Sequence, residues 1–173
     1  MNKKILNVGC GNDTYGTDFV DAKPRRKEVL KINVDEESLP YKNNYFDEVY
    51  STFLFEHLTK PNFALKEMYR TLKPKGKIII ITDNAGCWVW HTPFTKINYG
   101  VHWGSDKHYA LYTPHHLKNH LRKVGFKNIR TKYILVETKV PIWYVRIISN
   151  ILYSLPFFFK RNALPHIIIT ATK

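Results

Sequence analysis

Cysteine is scarce in this chain: Cys10 and Cys87 are the only two, and no Cys-x-x-Cys pair occurs. That excludes a disulfide scaffold and a cysteine-based zinc framework, and makes a reducing, cytoplasmic compartment the expectation. Acidic residues are few, 14 Asp and Glu against 27 Lys and Arg, for a formal net charge of +13. A surplus of that size points to an anionic partner, whether RNA, DNA, an acidic lipid surface or a charged substrate, or to a lysine-rich compositional bias. The opening stretch MNKKILNVGCG lacks the apolar centre of a secretion signal, so export is not expected. The strongly apolar run VPIWYVRIISNILYSLPFFFK, residues 140–160, contains Arg146, Asn150 and Pro156. Such residues suit a membrane-spanning helix poorly. The run reads as a core helix or as an interfacial helix on an anionic bilayer, giving peripheral membrane contact through 141–159.

What is present is an alternation of strand and helix signals, which implies a parallel α/β sheet. Apolar or alternating runs predict strands at 4–9, 17–21, 28–34, 46–52, 77–82, 126–137 and 165–172. A helix follows Thr59, its expected N-cap, with Pro61 in the first turn and Ala64, Leu65, Met68 and Leu72 at helical spacing. The residues KPKG at 73–76 are expected to end it and turn the chain. A second helix starts at Thr113 and Pro114, buries Leu117, Leu121 and Val124, and stops at Gly125. A third spans 141–155. Residues 83–112 have no period and are rich in Trp, Tyr, His and Gly, which suits a functional loop region. The length of 173 residues suits one domain.

The first strand ends in Gly9-Cys10-Gly11, and ten residues later Asp21 closes a second apolar run. A Gly-x-Gly turn lets backbone N–H groups face an anion. A dinucleotide-binding turn carries a third glycine; Thr14 stands there, which argues against a nicotinamide dehydrogenase. The stretches ILNVGCG, FVDAKP, VDEESLPY, YFDEVYSTFLFEHL, ALKEMYRTLKPKGKIIII and HYALYTPHHLKNHLRKVGF, in that order and spacing, resemble the class I S-adenosylmethionine-dependent methyltransferases of the methyltransferase type 11 group. The resemblance covers residues 4–82 and, in less detail, 108–130.

The resemblance implies a Rossmann-like α/β fold, with a mainly parallel seven-stranded sheet, flanking helices and an antiparallel last strand. Residues 1–82 would be the cofactor-binding half and 83–173 the acceptor side. Gly9, Cys10 and Gly11 would border the methionine part of S-adenosylmethionine through main-chain donors. Asp21 would hold the ribose hydroxyls, with Asp18 as its competitor, and Asp35 with Glu36 would read the adenine amino edge. Ser51 and Phe53 would lie where the fourth strand presents the methyl group.

The acceptor is less legible. Candidate bases are His91, His102, Asp106, His108 and Tyr109, led by His108 and Tyr109, which precede the second helix. No metal is expected: His115, His116 and His120 lack a carboxylate or cysteine at matching spacing. Methylation of base amino groups commonly uses an Asn/Asp-Pro-Pro-aromatic stretch, and STFLFEH stands in its place. A small-molecule or lipid acceptor is therefore expected; an RNA methyltransferase, or a non-catalytic RNA- or membrane-binding module, is the alternative. One departure stands out. Only NDTYG separates the glycine turn from the second strand, whereas a parallel crossover usually takes about 12 residues or more. The helix expected between the first two strands is missing or reduced to a turn, and the 141–159 segment is expected to help cover the exposed face.

Overall fold

The computed structural model describes residues 3–88, 108–136, 143–156 and 161–173. Among these, seven strands form one sheet: β1 (Ile5–Val8), β2 (Asp18–Asp21), β3 (Val29–Lys31), β4 (Phe46–Thr52), β5 (Leu72–Asp83), β6 (Lys127–Ile134) and β7 (His166–Thr172). Their spatial order is β3-β2-β1-β4-β5-β7-β6. Strands β1 to β5 pair in parallel, and β7 runs antiparallel between β5 and β6. The mainly parallel seven-stranded sheet with an antiparallel last strand is thus the architecture found.

Two helices, α1 (Pro61–Thr71) and α2 (Pro114–Val124), pack together on the sheet. Leu65 and Met68 of α1 and Leu117 and Leu121 of α2 meet Val49 and Ile80 in one buried cluster. Each such side chain contributes about 1.5–3 kcal/mol when fully buried. The ends of α2 follow the local signals. Thr113 Oγ1 accepts the His116 N–H at 3.3 Å, and Gly125 ends the helix at φ +115°. The start of α1 does not follow them: its N-cap is Lys60, without a side-chain cap, and Thr59 donates elsewhere.

The turn expected at 73–76 lies inside β5. Phe46 pairs with Leu72 and Glu48 with Lys77, so two steps along β4 match five along β5. The surplus residues bulge out, with Lys75 at φ +66°. A Cβ at Gly76 would sit 2.8 Å from the Lys73 carbonyl, so the bulge closes there only around glycine.

Residues 9–17 join β1 to β2 without a helix. The described part of 141–159, residues 143–156, does not supply the cover expected for that face. Helix α3 (Trp143–Ser154) holds the described part of that segment, and Trp143 is 73% and Ile151 57% exposed. The connecting loop itself folds over the sheet. Asn7 Nδ2 donates to the Tyr15 carbonyl at 2.9 Å, and the Tyr15 hydroxyl donates to Glu48 Oε1 at 2.7 Å. The Tyr15 ring stands edge-on to Tyr50 at 4.7 Å, and Lys3 Nζ pairs with the buried Glu48 at 2.8 Å. An aromatic loop tied down by these bonds thus takes the place of an amphipathic helix.

Candidate active site

Strand order reverses between β1 and β4, and in an open α/β sheet the carboxyl ends of the strands leave a crevice at such a point. Here a cavity of about 690 Å³ opens there, within the usual range of roughly 300–1,000 Å³ for small-molecule sites. Gly9, Cys10, Gly11, Asp21, Asp35 and Phe53 all line it; Glu36 and Ser51 do not.

The glycine turn is built differently from the expectation. Gly9 lies at φ +68° and Gly11 at φ +51°. The N–H groups of Gly9 and Cys10 both donate to the Val20 carbonyl, at 2.8 and 3.3 Å, and Gly11 N–H donates to Asp21 Oδ2 at 2.8 Å. The expected main-chain donors are therefore engaged within the protein. Val20 pairs with Val8 in register, which brings its carbonyl under the turn. Cys10 is buried, and that burial pushes its thiol above the ordinary value.

Asp21 ends β2 at the crevice wall. Its Oδ2 takes the Gly11 N–H and its Oδ1 the Lys23 N–H at 2.7 Å. An ionised carboxylate has about four acceptor sites, so each oxygen keeps one for a ligand hydroxyl. Asp18 starts the same strand, about 10 Å away at the usual rise, and accepts the Thr17 hydroxyl at 2.8 Å.

Asp35 has a structural task. Its Oδ2 accepts the Thr59 N–H and hydroxyl, both at 2.7 Å, and its Oδ1 accepts the Lys60 N–H at 2.8 Å. It ties down the two residues that lead into α1, 24 and 25 positions along the chain. Glu36, expected beside it on the adenine edge, is exposed, and its N–H donates to the Asn33 carbonyl. The residue passed over is Asn33, which lines the crevice and accepts the Asp35 N–H at 3.2 Å. Burial raises the Asp35 carboxyl, but the Thr59 and Lys60 N–H bonds outweigh it and hold the group below its ordinary range. Asp35→Ala is expected to cost about 1.5–3 kcal/mol, the scale of a hydrogen bond to a charged group. The folded-state pKa is depressed. The contribution is therefore complete above the unfolded value near ~3.9 and fades as pH falls toward the folded one. Melting curves at pH 7 and pH 3 check this: the gap between wild type and variant should shrink at the lower pH.

Along β4 the period of two puts Tyr50 and Thr52 on the crevice, while Ser51 is fully buried with its hydroxyl unbonded. Phe53 follows at φ +50°, a left-handed conformation that is costly for an aromatic residue, with its N–H on the Ile81 carbonyl. His57 also lines the crevice. His108 stands one layer behind, its ring edge-on to His57 at 4.7 Å and its Nδ1 3.7 Å from Asp83 Oδ2. On the other carboxylate oxygen His166 Nε2 lies at 3.7 Å, while His166 Nδ1 accepts the Val136 N–H. That bond places the neutral ring's proton on Nε2, facing Asp83. Tyr109, the other candidate base, is not among the lining residues: its side chain is 57% exposed, and its N–H donates to the Glu56 carbonyl. His91, His102 and Asp106 lie outside the described residues. Sequence reasoning missed Asp83 and His166, and read His57 as a helix-start residue at least as readily as a catalytic one. The available signal was the position of Asp83 at the end of a buried strand.

A family model for a methyltransferase domain matches residues 2–131. The chain belongs to that methyltransferase domain family. Over 67 residues the domain is 42% identical to the ubiquinone/menaquinone biosynthesis C-methyltransferase UbiE of Chromobacterium violaceum, covering 38% of this chain and 27% of that one. Over 95 residues it is 30% identical to a demethylmenaquinone methyltransferase of Renibacterium salmoninarum, covering 45% and 40%. The methyltransferase domain thus spans well under half the length of these relatives. A Thermotoga maritima structure described as an S-adenosylmethionine-dependent methyltransferase, possible histamine N-methyltransferase, superposes with a TM-score of 0.71 at 18% identity, covering 100% of this chain and 83% of that one. A Haemonchus contortus phosphoethanolamine N-methyltransferase 2, crystallised with S-adenosylmethionine, gives 0.65 at 16% identity, with 100% and 49% covered. At such identities the likeness shows the fold, that of the class I S-adenosylmethionine-dependent enzymes.

The crevice of the methyltransferase domain suits this cofactor in its chemistry. Asp21 has acceptor capacity left for a pair of sugar hydroxyls. At Gly9 a Cβ would meet Leu54 Cδ1 at 2.8 Å, so the turn can lie this close to Leu54 only without a side chain.

Proposed function

We propose that the chain transfers a methyl group from S-adenosylmethionine to a small apolar or lipid acceptor, with a quinone-type ring as the first candidate. The observation that carries this reading is the division of one crevice. Asp21, Lys23, Arg25 and Asn33 line it with polar groups, and Phe53, Leu54, Ile81 and Val136 with apolar ones. A polar nucleoside and an apolar acceptor need such a pairing. The names of the short-matching UbiE and demethylmenaquinone relatives support a quinone ring.

Bound S-adenosylmethionine supplies a methyl group already activated on a sulfonium. The chain's task is to place the acceptor in line with it, and well-oriented reactants recover up to about 7–11 kcal/mol of barrier. In this reading Asp21 holds the ribose, and Asn33 with the backbone at 33–35 borders the base. The apolar side chains exclude water. His57 takes the acceptor's proton, and His108, set behind it against Asp83, packs edge-on against its ring and holds it in place.

Two measurements test this. S-adenosylhomocysteine at ~100 times its dissociation constant adds ~2.7 kcal/mol, a rise in melting temperature of roughly 5–11 °C for a chain of this size. Labelled methyl incorporation from S-adenosylmethionine is then compared between a demethylated quinone and RNA. Incorporation into the quinone is expected, and His57→Ala should lower kcat while leaving the thermal shift intact. No shift removes the cofactor site; a shift with label in RNA alone removes the acceptor class.

A further inference from the structure

We propose that the outer face of α3 docks on an anionic lipid bilayer. Trp143, Ile147, Ile151 and Leu155 recur every four residues and form one stripe along the helix and its end. All four are exposed, from 38% at Leu155 to 73% at Trp143, and Ile148 widens the stripe. Across the helix Ser149 is fully buried, with its hydroxyl unbonded. A surface helix ordinarily turns its apolar stripe to the core and its polar face to water; α3 leaves its apolar stripe in water alongside Arg146 and Asn150. A contiguous apolar patch rimmed by polar groups marks an interaction surface.

Charge selects the occupant. Residues 1–83 carry 14 Lys and Arg against 12 Asp and Glu, a net +2; residues 84–173 carry 13 against 2, a net +11. After Glu137 no acidic residue occurs in the sequence. Arg130, Lys132, Arg146 and Arg161 are all exposed. An apolar stripe on a helix that also carries exposed Arg146, in a strongly basic half of the chain, matches a bilayer containing acidic headgroups: the stripe enters the acyl boundary and the cations meet phosphates. A second copy of the chain is the poorer partner, since pairing through α3 brings two strongly basic halves together. Spanning is ruled out for α3 itself. Its 12 residues reach about 18 Å against a hydrocarbon core near ~30 Å, and among the described residues no helix is long and apolar enough to cross. Docking does not depend on the methyl acceptor being a lipid.

The test is co-sedimentation of the full chain with vesicles of phosphatidylcholine, alone or mixed with phosphatidylglycerol. Binding to the anionic vesicles is expected to be at least tenfold tighter than to the neutral ones and to weaken with salt. The double variant Ile147→Glu with Ile151→Glu should lose at least tenfold of it, with an unchanged circular-dichroism melt; Arg146→Glu with Arg161→Glu should lose severalfold. Equal binding to both vesicle types, or full binding by the isoleucine variant, would overturn the proposal. So would a dimer in the ultracentrifuge that this variant dissolves, since the stripe would then seat a second copy.

Discussion

Asp21→Ala is expected to weaken S-adenosylhomocysteine binding by a factor of at least ten. The carboxylate is positioned by its own bonds to Gly11 N–H and Lys23 N–H, so its free acceptor sites point where the β2 terminus meets the crevice. A hydrogen bond to a charged group contributes about 1.5–3 kcal/mol; losing one gives roughly tenfold and losing two considerably more. Asp21→Asn keeps the shape and one acceptor oxygen and should fall between the alanine variant and wild type. Titration calorimetry decides: wild-type affinity in the alanine variant would take the ribose role away from Asp21. The alanine variant also frees the Gly11 N–H, so a small drop in melting temperature should accompany the loss of affinity.

The second large effect is expected at Gly9. A Cβ there adds left-handed strain of roughly 1–2 kcal/mol and meets Leu54 Cδ1 at 2.8 Å and Cβ at 3.1 Å. Overpacking of this kind costs about 1–3 kcal/mol, and the stiffer unfolded chain returns ~0.4–1 kcal/mol. Gly9→Ala should therefore lose about 2–4 kcal/mol of stability, which lowers the melting temperature by roughly 4–16 °C in a chain of this size. The contact with Leu54 makes the effect separable. Leu54→Ala opens space, so the double variant should lose less than the sum of the two single ones. Strict additivity, or a Gly9→Ala protein that melts with wild type, would mean that the turn does not rest on Leu54.

Features governed by neighbours along the chain are legible in the amino-acid sequence. The period of two in the fourth and fifth strands, the Thr113 and Gly125 boundaries of α2 and the missing first crossover helix all depend on a few adjacent residues, and the structure has them. The placing of Asp21 at the crevice follows from the strand ending there. Asp35 shows where that legibility stops. In sequence it is a loop carboxylate, and nothing within several residues hints that it holds the approach to a helix, starting at Thr59 24 residues on. Asp83 and His166 face each other because β5 and β7 pair antiparallel in one register, a fact of the sheet with no local signature.

By itself, then, the sequence determined the strand and helix segments, the α/β class and the carboxylate at the end of β2, because propensity, capping and periodicity act over one or two turns of chain. Only the tertiary structure decided which donors the glycine turn spends on Val20, which histidine reaches the crevice, and that the apolar stripe of α3 faces outward. Burial and hydrogen-bond partnership depend on what lies opposite in space, and chain register alone brings those groups together.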